Sequence, residues 1–135
     1  MTSKVIGFLL VVLLILPAVA GAVSEKDFEV RTTQSLINLC TTAPDDPLYR
    51  EAINFCEGYL VGAFHYDQAL TSGPKEPKLV CLPKPEPTRN DAVKMFVEWI
   101  KKNPQYMKEL PVETEFRFLI EKWPCKKEAK QKRKS

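Results

Sequence analysis

The sequence predicts a small all-α protein, a disulfide-stapled bundle of about four helices with a long proline-rich loop between helices two and three. Four segments repeat apolar residues at steps of three and four, and no segment of any length alternates as a strand does. Four cysteines follow a pattern typical of an export signal. In an exported chain, an even number of cysteines favours disulfides, here two.

The first 22 residues have the three parts of a secretory signal peptide. Lys4 makes the start basic, residues 5–16 are an apolar run, and small residues after Pro17 offer cleavage sites, of which Ala22 is preferred. A helix of that run would be roughly 18 Å long, too short for a hydrocarbon core of roughly 30 Å. We therefore predict cleavage near Ala22 and a periplasmic mature chain; a retained signal anchor is the alternative.

Charge divides the remainder into a helical domain, residues 23–125, and a basic tail, residues 126–135. The domain has 13 basic and 16 acidic side chains, whereas the tail has six basic residues and one acidic residue. This distribution predicts no nucleic-acid partner, because no basic field covers the domain. The tail is predicted to be a solvated, disordered end. An electrostatic arm is the alternative, and membrane contact is expected only through this tail or an uncleaved signal.

The first two helices have clear boundaries in the sequence. Thr32 or Thr33 caps a short helix that ends at Cys40. Asp46 and Pro47 then predict a second helix from Pro47 to about Leu70, because aspartate suits the cap and proline the first helical position. The inward stripe predicted for the second helix is Tyr49, Ala52, Ile53, Cys56, Tyr59, Leu60, Ala63, Tyr66 and Leu70.

Two glycines interrupt the second helix. Gly58 and Gly62 each cost roughly 1 kcal/mol relative to alanine in a helix interior. A close approach by another element would explain their presence, so we predict that something packs across the Gly58–Gly62 face.

The chain from Thr71 to Pro87 is rich in proline and is predicted to be an extended loop held by Cys81. A third helix is predicted from Arg89 to about Lys102 after a cap at Thr88. A fourth is predicted to begin at Pro111 and to end before Pro124. The inward residues predicted for the last two helices are Ala92, Val93, Phe96, Trp99 and Ile100, then Val112, Phe116, Leu119, Ile120 and Trp123.

The four cysteines allow three disulfide pairings. If the first two helices form a tight antiparallel hairpin, Cys40 lies about 13 Å short of Cys56 along the second helix, too far for a disulfide. This reasoning favours Cys56 with Cys81 and Cys40 with Cys125. A more splayed connection would restore Cys40 with Cys56 and Cys81 with Cys125, so that alternative stays open.

No catalytic set is predicted, so we do not expect an enzyme. His65 is the only histidine and has no serine or cysteine motif beside it, which suits a residue on the helix surface. Glu113 and Glu115 are two apart on a helix and do not share a face. No cysteine pair has metal-ligand spacing, and neither a metal nor a cofactor is expected.

With these elements placed, the chain resembles the Rap/Tai immunity-protein family of bacterial type VI secretion systems. The matching residues are Leu39-Cys40, Cys56-Glu-Gly58-Tyr59-Leu60-Val-Gly62, Cys81-Leu82-Pro83, Thr88, Asn103-Pro104 and Trp123-Pro124-Cys125. The resemblance implies a periplasmic helical protein that binds a cognate cell-wall amidase toxin and blocks its active site. It also implies a homodimer, since characterised members are often dimers.

Two other functions are weighed beside this one. The domain could be an orphan binding module of the same family, or a small periplasmic chaperone that responds to acid stress. If binding is the function, the restrained loop is the first candidate surface, since it would lose less entropy on docking than a free one. The candidate partner-binding residues are Ser72, Gly73, Lys75, Glu76 and Lys78.

Overall fold

Four α-helices make up the computed structural model, which describes residues 22–125. The helices are α1 (Thr33–Cys40), α2 (Tyr49–Leu70), α3 (Arg89–Lys102) and α4 (Pro111–Lys122), with short 3-10 helices at Glu25–Glu29 and Pro104–Tyr106. Within residues 22–125 there is no strand, only an isolated antiparallel bridge between Val80 and Pro124. The predicted all-α class and four helices are therefore confirmed.

The predicted signal peptide, except for its last residue, and the predicted basic tail lie outside the described residues. Among the helices that are described, none combines the length and the apolar character needed to cross a membrane.

The predicted helix starts are formed by local capping. Thr32 accepts a hydrogen bond from the Ser35 amide at 3.3 Å, and Thr88 accepts one from the Asp91 amide at 3.2 Å. Each bond satisfies an amide that has no partner inside the helix. Asp46 instead caps a turn, since its carboxylate accepts from the Leu48 amide at 2.8 Å. Helix α2 consequently starts at Tyr49, two residues later than predicted.

The core lies where the four helices meet. Phe118 of α4 is central, because its ring centroid lies 5.6 Å from that of Phe96, 5.9 Å from that of Trp99 and 5.8 Å from that of Trp123. Such contacts stabilise the fold through burial, and the Phe118–Trp123 pair also has favourable edge-on geometry. The other buried apolar residues of the helices are Leu36, Ile37, Leu39, Ala52, Cys56, Leu60, Val97, Ile100 and Leu119.

The prediction for the inward face of α4 was wrong in part. Val112 and Ile120 are exposed, while Thr114 and Glu115 are buried together with Phe118. Thr114 can face inward because its hydroxyl oxygen lies 2.8 Å from that of Thr33 on α1, so two buried polar groups satisfy each other. The apolar pattern alone could not show this pairing.

The outer half of α2 also differs from the prediction. Tyr66 and Leu70, placed in the inward stripe, are 67% and 61% exposed. The prediction that another element packs across Gly58 and Gly62 is wrong within residues 22–125. A Cβ placed on Gly58 or Gly62 would meet nothing within 4 Å. This side of α2 is open.

The favoured disulfide pairing was wrong, and the alternative is formed: Cys40 pairs with Cys56, and Cys81 pairs with Cys125. The α-carbons of Cys40 and Cys56 are 5.2 Å apart. The tight hairpin was the faulty assumption. Residues 41–48 form an eight-residue connection between α1 and α2. This connection is long enough for α2 to begin two turns, about 10 Å, before the position at which Cys56 lies beside Cys40.

Candidate functional site

The end of α2 and the first part of the following loop form an exposed segment, residues 66–79, which we call the docking segment. Its large apolar side chains are uncovered, since Tyr66, Leu70 and Leu79 are each between about half and two thirds exposed. Exposed apolar side chains concentrated on one segment and flanked by polar residues mark a surface suited to protein contact.

Both ends of the docking segment are held in place. Where α2 ends, the backbone amide and the hydroxyl of Thr71 both donate to the Asp67 carbonyl, at 2.9 Å each, and the Ser72 hydroxyl donates to the Ala69 carbonyl at 3.0 Å. Just beyond its end, the Cys81 amide donates to the Trp123 carbonyl at 2.9 Å, beside the disulfide to Cys125. The loop is therefore anchored to the end of α4.

The five residues predicted to bind a partner all lie on this segment. Ser72, Lys75, Glu76 and Lys78 are exposed, and Gly73 is half-buried. The Glu76 amide donates to the Gly73 carbonyl at 3.2 Å, which closes a turn at the tip. The structure thus brings the predicted residues together on an accessible, ordered turn; their role in binding stays a prediction.

A second open surface lies along α2, and we call it the glycine face. It consists of Phe55, Gly58, Gly62 and Tyr66, which are spaced by three, four and four residues and so share one side of the helix. Phe55 is 37% exposed and contacts the Phe28 ring edge-on, with centroids 5.5 Å apart. Between the two aromatic residues, the glycines leave the helix backbone bare.

The four cysteines have structural roles. All are engaged in the two disulfides, and Cys56 is 1% exposed, as its place in the inward stripe predicted. Neither bridge supplies a reactive thiolate.

Glu115 was missed as a site residue. It is 3% exposed, and burial raises the pKa of its carboxyl to about 9. Sequence reasoning takes a glutamate on a helix as a surface residue. One signal in the sequence could have identified Glu115 as buried. Pro111 lies four residues before it, and Phe118 and Leu119 lie three and four residues after it, so these residues share one helical face.

His65 lies where the sequence predicted, exposed on α2, at the rim of a cavity that Glu115 also lines. Among the described residues, no group of three or more histidine, cysteine, aspartate or glutamate side chains could hold a metal ion.

The fold and these surfaces define a small helical domain stapled by two disulfides, with an anchored, exposed loop. Residues 32–125 match the model of the Rap1a immunity proteins. The chain belongs to this family, since the match covers more than half of its length. No curated protein and no solved structure matches it. Membership confirms the resemblance found in the sequence and implies immunity to a secreted effector through binding of a cognate toxin.

Proposed function

We propose that this protein is a periplasmic immunity protein that binds and inhibits a peptidoglycan amidase delivered by a type VI secretion system. The match to the Rap1a immunity proteins over residues 32–125 carries the proposal. The signal-peptide pattern of the first 22 residues supports the periplasm as its compartment, which is where such an amidase would meet its substrate.

The docking segment is the first surface proposed to contact the toxin. Its turn presents Lys75 and Lys78 beside the exposed Leu79, so it can offer both charge and apolar area. Anchoring at Thr71 and Cys81 restricts the unbound loop. A restricted loop loses less conformational entropy on binding, and more of the contact energy is retained as affinity.

The glycine face is the second proposed contact. Tyr66 belongs to both surfaces, so they are continuous along α2. Bare backbone at Gly58 and Gly62 would let a helix or strand of the partner approach closely, with Phe55 and Tyr66 on either side. Either the amidase or a second copy of this chain could occupy the face, and the homodimer implied by the family resemblance is proposed on that basis.

The proposal is tested by protection from lysis. Each hydrolase found encoded next to this gene is expressed with a periplasmic signal, alone or together with the full-length protein. We expect lysis in the first case and growth in the second, with a complex recovered by affinity purification. Lysis of the cells that produce both proteins, with no complex recovered, would contradict the proposal. Suppression of client aggregation by acid-treated protein would then favour the chaperone alternative.

Alanine at the two glycines tests the glycine face separately. Because each added Cβ has free space, Gly58→Ala and Gly62→Ala should each stabilise the fold by roughly 0.5–1 kcal/mol. The same methyl groups should weaken a close contact with a partner. We expect a higher melting temperature together with weaker toxin binding or a weaker dimer, measured by calorimetry and sedimentation.

Glu98→Ala is the control, because it changes an exposed residue of α3, a helix that contributes to neither proposed surface. It should bind like the wild type. Unaltered toxin affinity and unaltered association in both glycine variants would exclude the glycine face as an interface.

A further inference from the structure

A cavity of about 290 Å³ lies between α2, α3, α4 and the end of the proline-rich loop. Its walls are mostly apolar and aromatic, contributed by Leu60, Phe64, Phe96, Phe118 and Trp123. An engineered cavity of roughly 150 Å³ is enough to hold benzene. This cavity therefore has room for a ring with a short chain, and its lining is that of a ligand site, mostly apolar with a few polar groups.

Glu115 is the buried polar group of this cavity. It is 3% exposed, and its Oε2 atom has no hydrogen-bond partner among the described residues. A carboxyl buried without a partner is costly, and such groups are rare in folded proteins. Burial raises its pKa to about 9, so the carboxyl is neutral at neutral pH.

The charged and titratable groups facing this carboxyl do not satisfy it. Tyr59 on α2 is half-buried, and burial together with the charge of this nearby carboxylate raises the Tyr59 pKa. His65, at the rim of the cavity, is exposed. Glu86 of the loop is an exposed acid at the rim. Arg89 on α3 lies 3.3 Å from Glu57 of α2, with which it forms an ion pair. Among residues 22–125, the cavity thus has an unsatisfied acid at its wall and no buried cation.

We propose that the cavity binds a small primary amine with an apolar body, whose ammonium group pairs with the Glu115 carboxylate. The apolar body fills the space between Phe64, Phe96 and Phe118. This site goes beyond the proposed immunity function and does not depend on the identity of any toxin.

An amine is favoured over other ligands because its ammonium group can pair with the ionised form of Glu115. An ammonium donates charge-assisted hydrogen bonds, which are roughly twice as strong as neutral ones, and it satisfies the orphaned oxygen. An anionic head group would instead place a second acid beside Glu115. A neutral head group could bond to the carboxyl but would gain no ion pair.

The release of a proton distinguishes this mode of amine binding from others. In solution near neutral pH the amine is an ammonium ion and Glu115 carries its proton. The pair formed in the cavity is ammonium with carboxylate, so the Glu115 proton is released to the buffer. About one proton should leave for each amine bound, and the affinity should rise with pH, close to tenfold per unit, below pH about 9.

The test is isothermal titration of the full mature protein with 2-phenylethylamine, in buffers of low and high ionisation enthalpy. We expect saturable binding with a released proton. 2-Phenylethanol, which has the same shape without the charge, should bind at least tenfold more weakly. Glu115→Gln preserves the volume and the neutral state of the side chain, so it should fold. It should lose at least tenfold in affinity for the amine and release no proton.

Ala92→Phe provides a second variant, because Ala92 lines the cavity and a ring there would fill it from the α3 side. It should block the amine while leaving Glu115 in place. No binding at millimolar amine, equal binding of the alcohol, or unchanged binding and proton release in Glu115→Gln would overturn the proposal.

Discussion

Replacing Glu115 with glutamine should make the stability of the protein less dependent on pH. Burial raises the pKa of this carboxyl from 4.5 to about 9 in the folded protein. Between these values the unfolded chain releases the proton and the folded chain retains it. The unfolded state therefore binds fewer protons, and the free energy of unfolding falls as pH rises.

The size of the effect follows from the shift. Each pH unit inside this window costs the wild type about 1.4 kcal/mol, or about 3 kcal/mol between pH values of roughly 5.5 and 7.5. Glu115→Gln carries no such cost, because glutamine is neutral in both states. We expect the variant to be more stable by about 1.4 kcal/mol at the acidic end of this range and by about 4 kcal/mol at the alkaline end.

Urea denaturation of both proteins across this range measures the difference. Other groups affect both proteins alike, so the difference between them reports Glu115. Asp27 lies outside the window: burial opposes its ionisation, but hydrogen bonds from Ser24 and Asn38 outweigh burial and lower its pKa below 3.8. Tyr59 is outside it too, because burial and the charge of Glu115 raise its pKa above 10.

Glu113→Gln is the matched control, since it removes the same charge from an exposed position of α4. It should leave the pH dependence unchanged. If the free energy of unfolding of the wild type follows that of Glu115→Gln at every pH, the conclusion that Glu115 is buried and neutral is wrong.

Four further outcomes are expected. Peptide mapping without reduction should find Cys81 joined to Cys125. The cysteines of this bridge are separated by 44 residues, so replacing both of them by alanine should lower the free energy of unfolding by about 4 kcal/mol, measured by urea denaturation. Removing the other bridge, whose cysteines are separated by 16, should lower it by about 3 kcal/mol. Thr33→Val should cost about 1–3 kcal/mol and more than Thr114→Val, because Thr33 also lies 3.1 Å from the Glu109 carbonyl; the reverse order would contradict this. Deleting residues 72–77 should abolish toxin protection without altering the circular dichroism spectrum, and full protection would exclude the docking segment.

The bounds of α3 and the caps at Thr32 and Thr88 could be predicted from the sequence. They depend on residues within one helical turn, so the information is local. The family could also be predicted, because its glycines, prolines and cysteines recur at readable spacings. The predicted binding residues lie together because they are consecutive in one loop.

Only the tertiary structure decided which groups meet across the chain. The partner of Cys40 depends on the path of residues 41–48, which lets α2 begin about 10 Å before the level of Cys40. The inward face of α4 depends on Thr33, 81 residues away from Thr114, which makes a polar side chain acceptable in the core. The cavity around Glu115 and the open glycine face have the same origin: both arise from how helices pack, and apolar spacing within one helix contains no information on its neighbours.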